Sequence, residues 1–126
     1  MKKIVVLISF FLIIQIISSC EKDFFEPPPP LDLATPISFS KEILPIIQTN
    51  CYGSGCHDKG IAPDLTSANA YDQLNMLGYI DTTNAEGSKL YMRIKDTKSP
   101  MPPKGALSGT LTNKILAWIK QGAKNN

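Results

Sequence analysis

Histidine occurs once among the 126 residues, and cysteine only three times. A single imidazole excludes any site built on two histidines, and three cysteines allow one disulfide with a thiol left over. Charge of one sign is scarce too. The chain has 13 Lys and Arg against 11 Asp and Glu, and two of those lysines are Lys2 and Lys3. Without that pair the bases and acids balance, so no basic patch suggests nucleic acid, and a near-neutral surface argues against strong steering toward a charged partner. Strand signals are missing as well, since no run alternates convincingly between apolar and polar residues.

What is present begins with Lys2-Lys3 and an apolar run from Ile4 to Ile17, broken only by Ser9 and Gln15. This reads as a secretory signal over residues 1–19, too short for a comfortable membrane span. The run closes on Ile17-Ser18-Ser19-Cys20, which resembles a bacterial lipobox. That resemblance implies cleavage before Cys20 and lipidation of its thiol; the alternatives are an ordinary signal peptide or an uncleaved anchor. Acyl chains add about 0.8 kcal/mol of membrane affinity per buried CH₂, so two or three hold a protein at a bilayer without a spanning helix. The expected location is the envelope of a Gram-negative bacterium, periplasmic or on the outer-membrane surface.

Residues 20–36 carry Pro27 to Pro30 in a row, the composition of an extended tether. Residues 37–126 suffice for one small domain with a thin core. An all-α fold of about four helices is expected. Ser40 is a plausible N-cap for the first, with Glu42 in its opening turn; Ile43, Leu44, Ile46 and Ile47 give it an apolar side, and Pro45 lies late enough to distort it. Short helices follow over about 69–77 and 88–94. The last is clearest: Leu111, Ile115, Leu116, Trp118 and Ile119 share one face, and Gly122 sits where a glycine stop belongs.

The chemistry concentrates in Cys51-Tyr52-Gly53-Ser54-Gly55-Cys56-His57. With Cys20 set aside, Cys51 and Cys56 form a pair, and the only histidine follows directly. C-x-x-C-H is the attachment signature of c-type haem, but here the spacer is four residues. On a continuous helix, residues five apart diverge by about 140° around the axis, so both sulfurs could not reach one porphyrin edge. The first helix is therefore expected to end near Cys51, with Tyr52 to Gly55 bulging outward at the freedom of Gly53 and Gly55. The same loop permits a Cys51–Cys56 disulfide, worth about 2 kcal/mol in the chain-entropy model, and a haem-free interaction module is the competing reading. Zinc falls one ligand short of a structural tetrahedron.

Further motifs make the domain similar to small bacterial monohaem c-type cytochromes. Gly60-Ile61-Ala62-Pro63-Asp64-Leu65 is similar to the family's G-x-x-x-P-x-L segment, and Met101-Pro102-Pro103 before Trp118-Ile119-Lys120-Gln121-Gly122-Ala123 looks like the planctomycete and Bacteroidetes versions. The resemblance implies one covalent haem c on Cys51 and Cys56, with His57 and Met101 as iron ligands and Leu65 at the haem edge. It also implies a Pro63 carbonyl that accepts a hydrogen bond from the His57 ring, and first and last helices that cross, bringing Ile43, Ile46 or Ile47 against Leu116, Trp118 or Ile119. Met76 and Met92 are the other candidate thioethers, but they fall in helical patterns where methionine is usually core filler. The widened spacer departs from the family pattern and bears on the bond to Cys51. The function so implied is single-electron transfer to redox partner proteins, without substrate chemistry.

Overall fold

The computed structural model describes residues 27–126. The expected signal peptide and Cys20 lie outside them. The described residues form four α-helices: α1 (Leu44–Asn50), α2 (Ala70–Met76), α3 (Lys89–Lys95) and α4 (Gly109–Lys120). Among the described residues there is no strand, and no helix is long and apolar enough to cross a membrane.

The helical N-terminus starts earlier and wider than expected. Ser38, rather than Ser40, is the cap: its hydroxyl accepts from Lys41 N at 3.3 Å, while its own N–H donates to Glu42 Oε2 at 3.0 Å. These reciprocal bonds satisfy donors that a helix start leaves orphaned. Ser40 instead donates from both N (2.9 Å) and Oγ (2.8 Å) to the Asn126 carbonyl, fixing the C-terminal residues over this turn. Phe39–Ile43 is a π-helical turn that leads directly into α1. Pro45 occupies the first turn of α1, where its missing N–H costs nothing. The distortion expected of Pro45 is taken up by the widened turn before it, which relieves the clash its ring would make with the carbonyl four residues back.

The core is built on α4, in which Ile115 to Ile119 are all buried. Trp118, 1% exposed, lies within the same buried cluster as Ile43, Ile46, Ile47, Leu116 and Ile119. The π-turn is the part of the N-terminal segment that packs most closely on α4, and its Phe39 adds an aromatic contact. Its ring lies 5.4 Å from Trp118 and 5.1 Å from Tyr71 of α2, the latter edge-on at 75°. Such pairs add about 0.5–1.5 kcal/mol beyond the area they bury. Their polar tips are satisfied by the chain terminus: Trp118 Nε1 donates to the Lys124 carbonyl and Tyr71 Oη to that of Ala123, each at 3.0 Å.

The glycine stop is present. Gly122, at φ +94°, donates to the Ile119 carbonyl (3.0 Å) while Ala123 donates to that of Trp118 (2.9 Å), the paired closure of a Schellman motif. The described half of the proline tether does not project. Asn113 Nδ2 donates to the Pro29 carbonyl at 3.0 Å and Gln121 Nε2 to that of Thr35 at 2.8 Å, while Ile37 N donates to Gln121 Oε1 at 2.9 Å. A Cβ on Gly109 would come within 2.7 Å of the Pro28 ring, so residues 28–37 lie along α4 as a strap.

Candidate functional site

Cys51 caps the C-terminus of α1, its N–H still donating to the Ile47 carbonyl at 2.8 Å. The backbone then leaves the helix through Gly53 (φ +139°) and Gly55 (φ +78°), conformations that favour glycine. Cys56 N donates to the Gly53 carbonyl (2.9 Å) and His57 N to that of Cys51 (3.1 Å), which shuts the loop. The extra residues therefore bulge outward, and the chain returns to the helix end at Cys56-His57. His57 is bound on both sides of its backbone, since its carbonyl accepts from Leu65 N at 3.0 Å.

The two thiols are free and differ in surroundings. Cys56 is exposed, whereas Cys51 is half-buried and its thiol is pushed up to about 11, chiefly by burial and then by the neighbouring Cys56. The thiolate is the reactive form, so Cys51 meets an electrophile as a neutral thiol at neutral pH.

A cavity of about 360 Å³ opens beside this loop, and all six residues expected at the site line it: Cys51, Cys56, His57, Pro63, Leu65 and Met101. Its size lies within the ordinary range of ligand pockets. Of the three candidate thioethers only Met101 reaches it; Met76 is 79% and Met92 52% exposed, and neither touches the cavity. The Met101 loop is held by its own N–H, which donates to the Arg93 carbonyl of α3 at 3.3 Å. The opposite wall is held by Asp64, which accepts from Thr66 N (2.9 Å) and Asn69 Nδ2 (2.7 Å). These bonds keep its carboxyl below the usual carboxylate range. Gln48 Nε2 ties α1 to the same wall through the Leu65 carbonyl at 2.7 Å.

One expected bond is not formed. Pro63 is buried on the cavity wall, but its carbonyl does not receive the His57 ring: Nδ1 of His57 is buried without a hydrogen-bond partner. With His57 fixed at both backbone groups, only its side-chain torsions remain to aim the ring, and they leave Nδ1 facing no acceptor. A buried polar atom in that condition costs about 1–3 kcal/mol.

Leu74, Tyr79 and Arg93 also line the cavity, though nothing in the sequence had marked them. Leu90 and Ile94 share the wall with Arg93, at the i, i+3, i+4 spacing of one helix face, and that spacing was the available signal. Charge is also less even than the overall balance suggests. Residues 89–104, which form α3 and the Met101 loop, carry five exposed bases, Lys89, Arg93, Lys95, Lys98 and Lys104, against Asp96 alone.

The donor set fits a haem c. Two thiols, one imidazole and one thioether line a single, largely apolar space. No group of three or more His, Cys, Asp or Glu among the described residues is gathered closely enough to hold a bare metal ion. A porphyrin, by contrast, takes thiols at its periphery and nitrogen and sulfur at its centre. No family model matches the chain, and neither a curated protein nor a solved structure does.

Proposed function

We propose that this protein is a lipid-anchored monohaem c-type cytochrome, an electron carrier rather than an enzyme. Cys51 and Cys56 hold the haem covalently, His57 and Met101 ligate its iron, and Cys20 carries the lipid that keeps the domain at the membrane of the cell envelope. The observation that carries this reading is the convergence of both thiols, the sole histidine and one thioether on a single cavity. Haem iron supplies reversible one-electron transfer, and thioether ligation favours a relatively high potential.

The chain's own residues do the rest. The Gly53–Gly55 bulge brings Cys56 and His57 back to the helix end, so the four-residue spacer keeps both thiols on one wall. Leu65, Leu74 and Ile94 keep water from the interior of the cavity, and the Met101 N–H bond to Arg93 fixes the loop that offers the thioether. Pro63 lines the same cavity as the imidazole. Side chains held this firmly change little when charge arrives or leaves, which suits transfer to and from partner proteins.

The test is the colour of the product. Mature protein made with cytochrome maturation machinery should be red and should stay red after acid-acetone extraction. Colourless protein lighter by two hydrogens would establish the disulfide-stapled, haem-free module instead. Met101→Ala should abolish the methionine-to-iron charge-transfer band and open the iron to carbon monoxide; an unchanged spectrum would remove Met101 from the site.

A further inference from the structure

The cavity has one feature that its thiols, imidazole and thioether leave unused. Among the described residues lining it, Arg93 is the only Lys, Arg, Asp or Glu. It stands on α3 between Leu90 and Ile94, which face the same space, with its side chain 44% exposed. That places a guanidinium at the rim of an apolar chamber. Among the described residues its one ionic contact is Asp96, at 3.9 Å, beyond hydrogen-bond distance and typical of a weak surface pair. The five N–H donors of an arginine form a planar fork that matches a carboxylate with two parallel bonds. Here that fork is essentially unspent.

The backbone of Arg93 is already committed, since its carbonyl accepts the Met101 N–H at 3.3 Å. The two halves of the residue thus serve separate ends. The carbonyl anchors the thioether loop, and the side chain borders the cavity.

We infer that Arg93 is the carboxylate-binding residue of this cavity, pairing at the rim with an acid substituent of an otherwise apolar ligand. This rests on the haem reading, in which the acid is a porphyrin propionate. The pair fixes how the acid edge of the ligand sits against α3, and it offsets a negative charge near the redox centre. A cation near the iron favours the less positive, ferrous state, so Arg93 raises the reduction potential.

The experiment is spectroelectrochemical titration of the red, acid-extraction-resistant holoprotein, alone and as Arg93→Gln, Arg93→Lys and Asp96→Asn. Arg93→Gln should lower the ferrous-to-ferric ratio at a fixed potential by about four- to tenfold, tenfold being 59 mV for a one-electron couple. It should also shift the propionate-bending band in resonance Raman spectra while keeping the methionine-to-iron band, because the backbone carbonyl survives the substitution. Arg93→Lys should retain most of the ratio, since a cation remains, but still shift the propionate band, since the fork is lost. Asp96→Asn should leave the ratio unchanged or raise it. A ratio and propionate band unmoved by Arg93→Gln would overturn the inference while leaving the haem reading intact. Loss of the methionine-to-iron band would overturn it in favour of a merely structural role. Colourless protein before any substitution would overturn both.

Discussion

The two sides of this small domain are finished to different degrees. On the side where the π-turn and α2 meet α4, polar tips find partners and aromatic rings interlock: Trp118 and Tyr71 both donate to carbonyls near the C-terminus, and Phe39 fills the space between their rings. On the other side, bounded by the Cys51–Leu65 segment, α3 and the Met101 loop, a cavity of about 360 Å³ stands open, and the His57 Nδ1 is buried unpaired. Thr66 Oγ1 is the other buried polar side-chain atom without a partner among the described residues. In the proposed reading the closed side supplies the fold and the open side takes the haem.

That contrast can be broken most forcefully from the closed side. Trp118→Ala should cost about 3–5 kcal/mol of stability, enough to unfold the haem-free domain in a urea titration; a loss under 1 kcal/mol would show that the aromatic cluster is not its keystone. Next in size is the response of haem-free protein to alkali. The Cys51 thiol lies at about 11 in the fold against an ordinary value of 9.0. Because the folded value is the higher one, the fold favours the neutral thiol. No stability is lost below about pH 9, and on the order of 2–3 kcal/mol goes as pH rises toward 11. Cys51→Ser should flatten that decline in thermal melts recorded from pH 8 to 11.

Smaller substitutions sharpen the open side. Gly55→Ala places a Cβ at φ +78°, where nothing lies within 4 Å, so only backbone strain of about 1–2 kcal/mol is expected. Its more telling effect should be a lower yield of covalently attached haem, read from the absorbance of extracted protein. His57→Leu in the haem-free form should be neutral or stabilising by about 1 kcal/mol, because it removes an unsatisfied buried atom; pronounced destabilisation would mean that the imidazole serves the bare fold. The smallest effect belongs to Glu42→Gln. It loses the 2.8 Å contact to Lys114 on a partly exposed surface, worth about 0–1 kcal/mol.

Much of this was legible in the sequence. The face formed by Leu111, Ile115, Leu116, Trp118 and Ile119 marked α4, and Gly122 marked its end, because helix periodicity and glycine stops are local signals. The bulge after Cys51 could be read from Gly53 and Gly55 for the same reason. What escaped were relations between distant residues. Ser38 outranks Ser40 as the cap because Glu42 reaches back to the Ser38 N–H, while the Asn126 carbonyl accepts from both hydroxyls; no local rule weighs a residue more than eighty positions away. The strap over residues 28–37 depends on Asn113 and Gln121, so its composition alone read as an extended tether. Arg93 joined the site only when the fold set α3 beside the Met101 loop, and the cluster of bases over 89–104 was hidden by an overall balance of charge. The unpaired His57 Nδ1 departs from the bond expected with Pro63: bonds to Cys51 and Leu65 fix the backbone of His57, and its side-chain torsions set the ring.

The most direct measurement is the intact mass and colour of the mature protein, produced with cytochrome maturation machinery and extracted with acid-acetone. Covalent attachment through Cys51 and Cys56 predicts red protein heavier by one haem, with neither thiol open to alkylation after denaturation. Colourless protein at the polypeptide mass, with two alkylatable thiols or a disulfide in their place, would contradict it.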